Sequence, residues 1–102
     1  MSAFTKVASV GEIPPGQSKM VEAGGRQIAV FNVAGVFYAI DNVCTHAGGA
    51  LNEGMLDGDK VECPWHGAQF DVKTGAALTA PAFDPVASFR VRVSGDNVEV
   101  EI

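Results

Sequence analysis

Apolar and polar residues alternate with a two-residue period at both ends of this chain, the signature of strands with one buried face. Within residues 88–93 (Ser88, Phe89, Arg90, Val91, Arg92, Val93) the apolar side chains at 89, 91 and 93 face one way and the arginines the other. Residues 98–102 (Val98, Glu99, Val100, Glu101, Ile102) repeat the pattern, and Ser94-Gly95-Asp96-Asn97 between them has the composition of a turn. Pairing Val93 with Val98 sets Arg92 opposite Glu99 and Arg90 opposite Glu101. Such a solvated charged face is worth at most a few tenths of a kcal/mol per pair.

Upstream, residues 19–23 and 27–33 flank Gly24-Gly25, a hairpin turn signal, and Ala34-Gly35 leads into a further strand over 36–40. Residues 4–8 (Phe4, Thr5, Lys6, Val7, Ala8) predict an opening strand, and Ile13-Pro14-Pro15-Gly16 interrupts the pattern. No segment sustains a 3.6-residue apolar stripe, so little helix is expected. The pattern predicts an all-β fold of short antiparallel strands. From about residue 43 to 85 the chain is rich in Gly, Ala and Pro, with short strands near 61–62 and 70–72. That stretch reads as a loop-built subdomain on the β scaffold.

Length places all 102 residues in a single domain, 1–102, with one modest core that gains from a staple. Twelve acidic against seven basic side chains give a formal charge of −5, which works against nucleic-acid binding. No run of 18 apolar residues is present, so no membrane helix is expected. The residues at the amino terminus lack the apolar core of a secretion signal, which predicts a cytoplasmic protein.

Chemistry concentrates in two short runs, Cys44-Thr45-His46 and Cys63-Pro64-Trp65-His66, which hold every cysteine and histidine of the chain. A disulfide between the two cysteines would leave the neighbouring histidines unexplained, and a cytosolic setting disfavours it. Two soft thiolates and two imidazoles instead form a complete ligand set, suited to zinc, copper or iron. On residue type and spacing a structural zinc site and an iron–sulfur centre both stand, although zinc fingers group Cys with Cys and His with His.

The surrounding residues favour the second. Cys44-Thr45-His46-Ala47-Gly48-Gly49 and Cys63-Pro64-Trp65-His66-Gly67-Ala68 closely resemble the cluster-binding loops of Rieske 2Fe–2S proteins. The resemblance continues through Ala50-Leu51, Gly54-Met55-Leu56, Phe70-Asp71, Thr74-Gly75 and Pro81. It implies one Rieske-type 2Fe–2S cluster, with Cys44 and Cys63 on one iron and His46 and His66 on the other. Neutral imidazoles in place of thiolates remove negative charge from the second iron and make it easier to reduce. Gly48, Gly49 and Gly67 then suit a backbone curled closely around the sulfurs, and Pro64, Pro81 or Pro85 suit bracing of the second loop; each also reads as a plain turn residue.

Two departures from the high-potential members of the family are legible. Gly49 and Trp65 stand where those members carry an extra disulfide, and Ala68 and Phe70 where they place serine and tyrosine hydroxyls. Lost donors leave more charge on the sulfurs, so a potential near the lower Rieske limit, roughly −150 mV, is expected. With His46 and His66 committed, no histidine remains for the mononuclear iron of an oxygenase. The chain therefore resembles the small ferredoxins of bacterial aromatic-ring dioxygenase systems: not an enzyme, but a one-electron carrier. Its implied partners are an NAD(P)H-dependent flavoprotein ferredoxin reductase and a terminal oxygenase. A Rieske-like small subunit of a larger reductase, such as nitrite reductase, and a structural zinc module are the competing readings.

The resemblance also suggests that the histidine tips form the exit for the electron. Ala47, Trp65, Ala68, Pro81, Ala82 and Phe83 are candidates for a small apolar docking rim, although Trp65 equally suits a core ring. Glu53, Asp57 and Asp59 are candidates for steering a basic partner or for a solvated face. Asp41, just before the first ligand run, is placed to accept a local backbone hydrogen bond or to serve as a turn residue.

Overall fold

The computed structural model describes residues 3–43, 50–63, 68–78 and 85–101. Ten strands occur among them: β1 (Phe4–Ser9), β2 (Ser18–Ala23), β3 (Arg26–Val33), β4 (Val36–Asp41), β5 (Met55–Asp57), β6 (Lys60–Glu62), β7 (Gln69–Asp71), β8 (Ser88–Phe89), β9 (Val91–Ser94) and β10 (Asn97–Glu101). Helical structure among the described residues is limited to two three-residue 3-10 turns, Val10–Glu12 and Leu51–Glu53. The strands form three antiparallel sheets, ordered β1-β10-β9, β2-β3-β4-β8 and β5-β6-β7.

The four-stranded sheet lies between the other two, and the side-chain alternation of β3 shows it. Ile28 and Val30 pack with Ala8, Val98 and Val100 on one side, while Ala29 and Phe31 pack with Val61, Phe70 and Val72 on the other. The same division holds in β4, where Ala39 faces the first cluster and Ile40 the second. Two buried faces explain why residues 28–31 read as a continuous apolar run instead of an alternation.

Turn chemistry sets the registers. Gly24 and Gly25 both have positive φ (59° and 76°), and Ala23 pairs with Arg26 across them, giving the tight hairpin that the sequence predicts. The next turn places Ala34 at φ 52° and Gly35 at 91° between the paired Val33 and Val36. Buried Asn32 secures that turn: its Oδ1 accepts from the Gly35 N–H at 2.8 Å, and its Nδ2 donates to the Ile13 carbonyl at 2.7 Å.

At the carboxyl end, Val93 pairs with Val98 and Arg92 with Glu99, as the charge pattern predicts. The expected single strand over 88–93 is instead two. Ser88 and Phe89 pair with β4 and Val91 onward pairs with β10, while Arg90, between the two strands, accepts the Glu101 N–H at its carbonyl (2.8 Å) and faces the Glu101 carboxylate at 3.9 Å. One alternating segment thus serves two sheets. Phe89 and Val91 do pack together in one core, but Val93 is 50% exposed. It lies next to the hairpin turn on an edge strand, with no strand paired on its outer side among the described residues.

Candidate metal centre

Each ligand run leaves and re-enters the described structure at a closed base. Before the first run, β4 delivers Asp41 and Asn42; after it, the chain resumes at Ala50 and the Leu51–Glu53 turn. Val43 and Ala50 form an isolated antiparallel bridge, and the Leu51 N–H donates to the Asn42 carbonyl at 2.7 Å. Asp41 Oδ1 accepts from the Val43 N–H at 3.2 Å, so the local acceptor role expected of it is present. The second run, 64–67, is closed by the Cys63 N–H donating to the Ala68 carbonyl at 2.7 Å. In sequence it lies between β6 and β7, whose pairing ends with Glu62 opposite Gln69.

Both bases sit in one core. Leu51, Cys63, Ala68 and Phe70 belong to a single buried cluster with Phe31, Ile40, Val61 and Val86. Cys63 itself is 2% exposed, with its thiol among aliphatic and aromatic neighbours. The remaining expected ligands, Cys44, His46 and His66, lie outside the described residues, as do Gly48, Gly49, Pro64, Trp65, Gly67 and the rim candidates Ala47, Pro81, Ala82 and Phe83. Among the described residues no group of three His, Cys, Asp or Glu side chains surrounds a metal-sized space.

The donor set nevertheless fits an iron–sulfur group. Two thiolates and two imidazoles are present in the chain, Cys63 is sheltered from water, and its loop and the first one spring from the same core. Cys63 is also held from the neighbouring strand. Gly54 approaches so closely that a Cβ there would lie 1.9 Å from the Glu62 carbonyl oxygen. The described residues on either side of 79–84 are also joined: the Val86 N–H donates to the Gly75 carbonyl at 2.9 Å, and the Gly75 N–H to the Asp71 carbonyl at 2.7 Å. Gly75 has φ +79°, and a Cβ on it would lie 2.1 Å from the Val86 oxygen.

Several expectations are sharpened or corrected. Ala68 is fully buried in the core, so it is not part of an exposed docking rim. Phe70 is likewise fully buried, cross-paired with Val61. Neither side chain offers a hydrogen-bond donor. Of the three acids, Glu53 and Asp57 are exposed, whereas Asp59 pairs with Lys73 at 3.2 Å. The hydrogen bond from Lys73 holds the Asp59 carboxyl below the usual carboxylate range, and Asp59 in turn raises the lysine. Gly54 and Gly75 entered the sequence reading only as part of the family resemblance, without a structural role, and Asn42 did not enter it. Their signal is a turn-forming residue beside a ligand run, which looks the same in any loop.

A groove lined by Phe4, Tyr38, Lys73, Phe89, Arg90 and Glu101 opens at the start of β4, the end away from the first ligand run. No helix among the described residues is long and apolar enough to cross a membrane.

Comparison with known proteins bears on the same residues. The family model described as the Rieske 2Fe-2S domain matches residues 3–90. The chain is 44% identical over 100 residues to the ferredoxin component of biphenyl 2,3-dioxygenase from Rhodococcus jostii, covering 98% of this chain and 94% of that protein. Among solved structures it is similar to a chain from the complex of reduced oxygenase and oxidized ferredoxin in carbazole 1,9a-dioxygenase, with TM-score 0.90, 39% identity and 95% and 91% of the two chains covered. The ferredoxin of carbazole 1,9a-dioxygenase from Nocardioides aromaticivorans aligns with TM-score 0.92 at 32% identity, covering 96% of each chain. The small subunit assigned to an NADH-dependent nitrite reductase of Mycobacterium tuberculosis, at 23% identity and TM-score 0.89, shares the fold alone.

Proposed function

The chain belongs to the Rieske 2Fe-2S domain family, and on that premise we propose that it serves an aromatic-ring dioxygenase system as its soluble one-electron carrier. A 2Fe–2S cluster, when bound, would supply one-electron redox chemistry. Cys44 and Cys63 would hold one iron and His46 and His66 the other. The observation that carries this assignment is the convergence of the two loop bases on one buried core containing Cys63.

What the protein itself contributes is position and environment. The buried base excludes water from the Cys63 side, and a low-dielectric surround strengthens every hydrogen bond made to the sulfurs. Ala68 and Phe70 withhold side-chain donors at the positions where high-potential relatives supply them, which keeps the potential toward the lower end of the Rieske range. An acceptor of the terminal-oxygenase class is supported by the ferredoxin–oxygenase complex known for a similar protein. A flavoprotein reductase drawing on NAD(P)H is the matching donor. Both encounters need only a small interface, below about 1,200 Å². The compartment proposed for them is the cytoplasm.

The decisive test is an electron paramagnetic resonance spectrum of the dithionite-reduced protein. Mixed nitrogen and sulfur ligation is expected to give an average g below the free-electron value, and iron and acid-labile sulfide in equal amounts. Zinc without sulfide, or no signal on reduction, overturns the reading.

A further inference from the structure

Asn42 is one of two buried polar side chains among the described residues, at 3% exposure, and it sits two positions before Cys44. Its groups bond two other segments, β3 and the Leu51–Glu53 turn. The Asn42 N–H donates to the Gln27 carbonyl at 3.0 Å, fixing it to β3. Its own carbonyl accepts from the Leu51 N–H at 2.7 Å. Its side-chain Oδ1 accepts from the Asn52 N–H at 2.8 Å, and the Asn52 carbonyl accepts from the Ser18 hydroxyl at 2.9 Å. Two successive amides on the far side of the first ligand run thus end on one residue on its near side.

We propose that Asn42 is a positioning residue for the cluster, clamping the two ends of the 44–49 run so that its ligands arrive at a set separation and angle. The inference rests on the reading that Cys44 and His46 are ligands. Burial gives the clamp its force. Removing the Oδ1 acceptor leaves the Asn52 N–H, at a partly buried site, without its partner, a far larger cost than losing the same bond at the surface. The Leu51 bond and the Val43–Ala50 bridge join the two ends through their backbones, and the Oδ1 bond extends the join by one residue, to Asn52.

Asn32 provides an internal control. It is equally buried at 3% and also bonds two segments through its side chain, but it does so at the Ala34-Gly35 turn, at the far end of β3 from Gln27. Loss of either asparagine weakens the fold. Only loss of Asn42 alters the ligand run.

The test compares holoprotein of wild type, Asn42→Ala, Asn42→Asp and Asn32→Ala. Two readouts are taken: the g values of the reduced protein, and the rate at which the visible absorption bleaches with a chelator present. Asn42→Ala is expected to shift or broaden the g values and to lose its cluster about tenfold faster than Asn32→Ala. Asn42→Asp, which retains an acceptor oxygen, is expected to keep g values close to wild type. Unchanged g values in Asn42→Ala, with bleaching no faster than in Asn32→Ala, overturn the proposal. Hydrogen exchange of wild-type holoprotein needs no variant: a slowly exchanging Asn52 amide supports the clamp, and exchange at the rate of an open loop overturns it. A wild-type protein with no Rieske spectrum refutes instead the proposed function, so the two failures are distinct.

Discussion

The Glu62 carbonyl oxygen occupies the place where a side chain at residue 54 would begin, 1.9 Å from the ideal Cβ position of Gly54. Gly54 has φ −77°, a conformation open to any residue, so the demand for glycine here is one of space and not of backbone freedom. Glu62 is the residue before Cys63. The contact therefore ties the turn that follows the first ligand run to the strand that begins the second.

Gly54→Ala is accordingly expected to push β5 from β6 and to destabilise the protein by about 2–4 kcal/mol, in the range of other overpacking and strain effects. Gly11→Ala, where a Cβ meets nothing within 4 Å, is the matched control and is expected to be near neutral. Urea denaturation of the two variants checks the contrast. Equal midpoints would show that the close approach relaxes freely.

Gly75→Ala combines both penalties, a φ of +79° and a Cβ 2.1 Å from the Val86 oxygen. The expected loss is again roughly 2–4 kcal/mol, with the hydrogen bond from Val86 to Gly75 broken. Thermal melting and amide exchange at Val86 report both effects together.

Ala34 is the one non-glycine residue with positive φ among the described residues, at 52°, in a turn whose second central residue is Gly35. Asparagine tolerates this conformation better than alanine and precedes glycine favourably in two-residue hairpins. Ala34→Asn is expected to stabilise the fold by about 0.5–1 kcal/mol, raising Tm by roughly 2–8 °C. An unchanged or lower Tm would contradict the turn geometry.

Ala68→Ser introduces a hydroxyl where high-potential relatives carry one. A hydrogen bond to a charged sulfur worth about 1.4 kcal/mol corresponds to roughly 60 mV for one electron, and the reduction potential is expected to rise by about that amount from a starting value near −150 mV. Voltammetry decides. A wild-type potential above zero would remove the argument from absent donors.

The ion pair of Asp59 and Lys73 gives a pH signature. A carboxyl depressed by its partner adds stability above its unfolded pKa and loses it as pH falls through the folded value; a raised lysine adds stability below its unfolded pKa and loses it as pH rises through the folded one. Coupling between the two is therefore expected at neutral pH, and is lost as pH falls through the lowered carboxyl value or rises through the raised lysine value. Both side chains are largely exposed, so the effect is small. A double-mutant cycle with Asp59→Asn and Lys73→Met at pH 7 and pH 2 measures it.

Local information sufficed for much of this protein. The two-residue alternation, the Gly24-Gly25 and Ala34-Gly35 turns and the Arg92–Glu99 register are properties of neighbouring residues, so they are legible without a fold. The candidate ligand runs stand out because metal chemistry restricts residue types so sharply. What the chain by itself left open are contacts between segments distant in sequence. The switch of one alternating stretch between two sheets at Arg90 depends on which strands lie beside it. The need for glycine at 54 and 75 comes from carbonyls eight and eleven residues away, and the clamp at Asn42 from amides nine and ten residues on. A sequence specifies such residues without displaying their purpose, because a close approach has no pattern until both partners are in place.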